Sequence, residues 1–151
     1  MRFVLFTDKT VSQCMGALNE RLQAKGTKSR PDLEGWIEKG GKFSLAVTSI
    51  VAWRFRRTTR LSGVITREGA ATVIRGRVSG GVAPEGLRVL VGALVIVFAA
   101  LFITGNPMLA LVTLIFGGLS YVPLRGDFVN SETLLIEVEK TLGATPKPPK
   151  E

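Results

Sequence analysis

Residues 89–124 read V-L-V-G-A-L-V-I-V-F-A-A-L-F-I-T-G-N-P-M-L-A-L-V-T-L-I-F-G-G-L-S-Y-V-P-L, and none of them carries a charge. Arg88 and Arg125 bound the run. As one straight helix it would be roughly 54 Å long at about 1.5 Å per residue, far beyond a hydrocarbon core of roughly 30 Å. The chain must therefore turn inside it. Thr104-Gly105-Asn106-Pro107 has the chemistry of that turn: glycine can end one helix and proline suits the first turn of the next. The run predicts a two-helix transmembrane hairpin with spans Leu87–Thr104 and Pro107–Leu124. Its turn is uncharged and its outer ends carry arginine, so both termini are expected in the cytoplasm. Gly92, Ala99, Gly117 and Gly118 offer small surfaces for close helix packing. Val89–Leu124 holds no Asp, Glu, Lys, Arg or His, which transport pathways usually place inside a span, so the hairpin reads as an anchor.

Charge is distributed unevenly around this hairpin. Through residue 88 there are 16 Lys and Arg against 7 Asp and Glu, a balance of +9; from residue 125 onward the counts are 4 and 5, a balance of −1. A basic domain beside a bilayer has the anionic lipid surface as its simplest partner. The single cysteine, Cys14, excludes an internal disulfide framework. The opening apolar run Phe3–Phe6 is too short for a signal peptide, and Asp8 and Lys9 end it.

Residues 1–80 predict a small basic α+β domain, with a linker over 81–86. Arg2–Thr7 reads as a strand. Thr10 and Gln13 have capping-box spacing, and Val11, Cys14, Met15, Leu18 and Leu22 follow at helical intervals up to Gly26. Cys14 sits on that stripe and reads as a buried core residue. Leu33–Lys39 and Lys42–Ser49 flank Gly40-Gly41, a two-residue hairpin turn. A further strand region spans Val51–Thr66, with a break near Arg57-Thr58. Glu68-Gly69 then turns the chain into Thr72–Ser79. The order β-α-β-β-β-β with short connections predicts an antiparallel sheet carrying a helix. After the hairpin, Asn130 or Ser131 caps an amphipathic helix (130–143) whose stripe is Leu134, Leu135, Val138 and Leu142. With both termini on one side of the bilayer, this helix packs on the same sheet, making the hairpin an insertion in the domain. Residues 144–151 are expected to be a disordered tail.

The run L-E-G-W-I-E-K-G-G-K-F-S-L (33–45), then R-L-S-G-V-I-T-R-E-G-A-A-T-V-I-R-G-R-V (60–78), then a helical hairpin, resembles a family of uncharacterised bacterial membrane proteins. In that family a small α+β domain precedes two membrane helices. Gly35, Phe43, Gly63, Gly69 and Gly76 mark the shared strand and turn positions. The resemblance implies a bacterial plasma (inner) membrane and brings no activity or catalytic residue.

The residues give little chemistry to an enzyme. There is no histidine, which removes the commonest general base and metal ligand. One cysteine makes neither a thiolate zinc site nor a Cys–His pair. The carboxylates are scattered, and Glu137 and Glu139 read as solvent-facing helix residues. No catalytic residue, metal or cofactor is assigned. The constellation that stands out is Trp53-Arg54-Phe55-Arg56-Arg57-Thr58-Thr59-Arg60, with Arg75 and Arg77 on a nearby strand. Arginines beside aromatic rings suit phosphate or lipid head groups; the plainer reading makes Trp53 and Phe55 core and the arginines the wet face of the sheet. The leading expectation is a non-enzymatic membrane-anchored module whose basic domain binds a protein partner or the anionic lipid surface. The alternative is a small subunit of a larger membrane complex, or a homo-oligomer, docked through the hairpin. Nucleic acid ranks behind both.

Overall fold

The computed structural model describes residues 1–27, 30–52 and 55–148. The first strand, β1 (Arg2–Thr7), is followed by helix α1 (Val11–Gln23). Four strands come next: β2 (Glu34–Glu38), β3 (Lys42–Ala52), β4 (Phe55–Glu68) and β5 (Ala71–Val78). Two helices complete the order, α2 (Pro84–Ile103) and α3 (Pro107–Leu142). The strands form one antiparallel sheet in the order β1-β5-β4-β3-β2, a meander closed by the first strand. The class is α+β, as the element order implied.

Local chemistry sets the element ends. Thr10 Oγ1 accepts from the Gln13 amide at 3.3 Å while the Thr10 amide donates to Gln13 Oε1 at 2.9 Å, closing the capping box. Gly40 and Gly41 both take positive φ, as a two-residue turn with the sheet's twist requires. Gly41 also allows β4 to close in: a Cβ there would fall 2.3 Å from the Ile65 carbonyl oxygen.

The inner face of the sheet carries the core. A row of paired positions crosses it as Phe3, Gly76, Gly63, Phe43 and Ile37. The two phenylalanine rings lie over the two glycines, where a Cβ would sit 2.7 Å from Phe43 and 2.4 Å from Phe3. Leu5, Leu45, Leu61, Ile65 and Ile74 fill the rest of that face. Cys14 and Leu18 of α1 cover it, with Leu134, Val138 and Leu142 of α3 beside them. Burial pushes the Cys14 thiol above its ordinary range, with nearby Lys9 pulling it slightly down.

Three features differ from the sequence expectation. The second apolar helix does not stop at Leu124, and no separate helix opens at Asn130: α3 runs unbroken from Pro107 to Leu142, with Pro123 inside it. Gly126 is where its backbone touches the sheet, since a Cβ there would lie 2.7 Å from both Arg57 Cβ and Val51 Cγ2. The strand expected to break near Arg57-Thr58 is continuous over Phe55–Glu68. Residues 144 and 145, placed in a disordered tail, are ordered against β1. Ala144 is buried, and the Thr145 amide and carbonyl exchange hydrogen bonds with Phe6 at 2.9 and 2.8 Å.

The strands differ in length, and this shapes the molecule. β5 pairs with β4 only from Leu61 onward, and β2 pairs with β3 only up to Ala46. The remainder of β3 and β4 therefore projects as a two-stranded ribbon. Its inner side rests on α3, where Phe55 shares a groove of about 440 Å³ with Leu114, Gly118, Val122 and Pro123. α2 and the first part of α3 pack antiparallel, are long and apolar enough to cross a membrane, and are only 6% buried over their most apolar windows.

Candidate functional site

Residue parity decides which arginines act together. On β4, Thr59, Leu61, Gly63 and Ile65 are buried against the helices, so Arg56, Thr58, Arg60 and Ser62 lie on the opposite, open face. Arg77 pairs with Ser62 and with Arg2, and Arg75 pairs with Val64 and Val4. The structure thus brings Arg56, Arg60, Arg75, Arg77 and Arg2 onto one uncovered face, all exposed. Arg56 and Arg60 lie on the ribbon. Arg75 sits further along and is held by Glu68, whose Oε2 accepts from Nη2 at 2.9 Å, while Nη1 reaches Oε1. That pairing pulls the Glu68 carboxyl below its usual range and raises Arg75. Arg54 and Trp53 of the sequence constellation lie outside the described residues.

Arg57 does not belong to this face. It points to the helix side and binds Asp127 of α3 in a fork, Nε to Oδ1 at 2.9 Å and Nη2 to Oδ2 at 2.7 Å. Thr59 donates to the same Oδ1 at 2.7 Å. Asn130 Nδ2 donates to the Arg57 carbonyl at 2.8 Å and to Thr59 Oγ1 at 3.1 Å. Burial opposes ionisation of Asp127, but hydrogen bonds from Arg57 and Thr59 outweigh it and hold the carboxyl below its ordinary value. The wet-face reading of Arg57 is therefore corrected: it locks α3 onto the ribbon. Phe55 is not core either; it is 57% exposed at the ribbon's end, beside the apolar stretch of α3.

Glu137 is a second correction. It is buried, accepts from Arg21 Nε at 2.9 Å and lies 3.4 Å from Arg30 Nε. Arg21 also donates to the Pro31 carbonyl at 2.6 Å. The ion pair ties α1 to α3 inside their contact. Sequence reading missed both polar links, yet their signal was present. Asp127, Asn130 and Glu137 continue the Leu134–Val138 stripe at helical spacing, and Arg21 continues Cys14 and Leu18.

The small residues of the hairpin divide. Gly117 packs on α2, where a Cβ would lie 2.4 Å from Leu94 Cδ2. Gly92 and Gly118 have no neighbour within 4 Å of such a Cβ, and Ala99 is exposed, so these three do not join α2 to α3. Among the described residues no group of three His, Cys, Asp or Glu side chains lies together as a metal site. No family model, curated protein or solved structure matches the chain.

Proposed function

We propose that the chain is a non-enzymatic membrane-anchored module: α2 and the apolar part of α3 cross the bacterial inner membrane as a hairpin, and the basic ribbon lies at the anionic lipid surface. The observation that carries this reading is the position of the ribbon. Its end residue Phe55 lines one groove with Leu114, Gly118, Val122 and Pro123, all in the uncharged stretch of α3, while Arg56 and Arg60 face away from the helix. An exposed aromatic at hydrocarbon depth followed by arginines at head-group depth matches the polarity profile of a bilayer boundary. The exposure of the hairpin supports the same reading. Ile96, Ile103, Met108 and Phe116 are each at least 67% exposed, whereas the core helix of a soluble protein would be covered.

Both ends of the hairpin lead into the sheet domain, which supports one side of the membrane for that domain and both termini, and the positive-inside rule favours the cytoplasmic side. A reporter fused at Gly105 should prove extracytoplasmic. For the ribbon, Phe55→Cys carrying an environment-sensitive fluorophore should be quenched by lipids labelled near the head group. A label reporting bulk water throughout would overturn ribbon contact. A second reading, a subunit of a larger complex, is supported by Gly92 and Ala99, which leave small surfaces of α2 turned away from α3. Gly92→Leu should then release a partner crosslinked in native membranes.

A further inference from the structure

On the side of α3 away from the ribbon, the start of α2 and the middle of α3 enclose a cleft of about 720 Å³. Leu87, Val91 and Val129 line it with apolar side chains, and Arg88, Arg125 and Tyr121 with polar ones. Arg125 Nη1 donates to Tyr121 Oη at 2.6 Å, and the guanidinium carbon lies 5.7 Å from that ring's centroid. One N–H of five is used, and the side chain is held in place by the ring. Arg88 has no hydrogen-bond or ion-pair partner among the described residues. Glu132 stands at the rim, further from the apolar stretch than Arg125 and unpaired with either arginine.

We propose that this cleft is a specific site for one anionic phospholipid, with the phosphodiester between Arg88 and Arg125 and an acyl chain descending over Leu87 and Val91. The inference rests on the hairpin crossing a membrane. Arg88 and Arg125 are the two residues that end the uncharged run, and α2 and α3 are antiparallel, so both guanidiniums lie at the same bilayer boundary. Two arginines and one glutamate leave a local charge of +1, which complements the single negative charge of a phosphodiester. A zwitterionic lipid would place its ammonium beside two guanidiniums. Basic pockets between membrane helices on the cytoplasmic side are a general solution for anionic head groups, because guanidinium bonds phosphate in a fork at a depth where water is scarce. The cleft lies on a different face of α3 from the ribbon groove and shares no residue with it.

The full chain, stripped of lipid in detergent and offered phosphatidylglycerol or phosphatidylcholine with identical acyl chains, tests this by native mass spectrometry. The anionic lipid should be retained about tenfold more than the zwitterionic one, and Arg88→Gln with Arg125→Gln should cut its retention by about tenfold. Val91→Trp, which fills the apolar part and leaves the charges, should lose the lipid equally. Lys25→Gln with Lys39→Gln removes the same charge from exposed positions elsewhere and should leave retention unchanged. Equal retention of both lipids overturns the site, as does equal loss in the lysine variant. Displacement of lipid by free glycerol phosphate would overturn it too, by showing a site for a soluble phosphate ester. Release of the chain from membranes by alkaline carbonate would instead refute the hairpin reading. An unextractable chain with no lipid preference refutes the cleft alone.

Discussion

Asp127 shows how one side chain can fix a helix on a sheet. Its carboxylate receives a fork from Arg57 and a hydroxyl from Thr59, and the residue is nearly buried. Asp127→Asn keeps the shape but removes the charge and leaves Arg57 without its partner. The expected cost is about 1–2 kcal/mol: hydrogen bonds to charged groups contribute about 1.5–3 kcal/mol, and the half-exposed Arg57 side chain regains water, which reduces the loss. The folded-state carboxyl titrates below its unfolded value, so its contribution is fully present above the unfolded value of about 3.9 and fades as pH falls through the folded one. The melting temperature in detergent should therefore hold above about pH 5 and decline below about pH 4, more steeply in the wild type than in Asp127→Asn. An identical decline in both would remove Asp127 from the explanation. The paired glycines offer a second residue test. At Gly76 a Cβ would meet the Ser62 carbonyl oxygen at 2.6 Å as well as the Phe3 ring, whereas at Gly63 the nearest atoms belong to the Phe43 ring. A ring can shift and a strand backbone cannot, so Gly76→Ala should cost more than Gly63→Ala, by about 1 kcal/mol or more, in chemical denaturation.

At the scale of elements, α3 is one continuous helix that packs on α2 in its first part and on the sheet in its last. Its first part packs on α2 through Gly117, and its last part presents Asp127, Asn130, Leu134, Val138 and Leu142 to the sheet. A single alanine inserted after Leu124 would turn everything beyond it by about 100° and swing that stripe off the sheet. Melting temperature should fall sharply, whereas the same insertion at Asn106, in the exposed turn, should change it little. Equal effects would mean that the two halves of α3 are not mechanically continuous. The sequence showed this helix in two pieces because the uncharged run ends at Leu124 and Asn130 has the chemistry of a helix start. The reason neither breaks it lies in tertiary contacts. Gly126 is used for close approach, Asn130 bonds to β4 instead of capping, and Pro123 falls where α3 already packs against the ribbon. The order of elements along the chain, the capping box, the Gly40-Gly41 turn and the apolar run were legible because each depends on local chemistry. The ribbon was not. Its arginines alternate in sequence like a wet strand face, and only the pairing lengths of β2 and β5 show that residues 55–60 leave the sheet core. The polar partners of Arg57 and Arg21 lie 70 and 116 residues away, so helical spacing marks the polar positions on each stripe but not which of them pair.

On the scale of the whole molecule, the apolar hairpin interrupts a domain that closes around it. The Val82 amide donates to the Leu124 carbonyl at 3.1 Å, and a Cβ on Gly81 would fall 2.1 Å from the Phe128 amide nitrogen, so the chain leaves and re-enters the domain at one point. Leu134, Val138 and Leu142 are completely buried in the core that residues 1–80 begin. Burying each such side chain contributes about 2 kcal/mol, and together they approach the whole stability of a small domain, about 5–15 kcal/mol. Two truncated chains follow from this. Residues 1–83 alone should be poorly folded. Residues 1–82 joined to 124–148 by a short Gly-Ser link should give a soluble, cooperatively unfolding protein with dispersed amide resonances. If residues 1–83 fold as stably as the linked chain, α3 is dispensable to the sheet and the hairpin is a tail. If only the linked chain folds, the apolar hairpin and the sheet share a single helix. Any force or lipid acting on the hairpin is then carried through α3 to the sheet face that bears Arg56, Arg60 and Arg77.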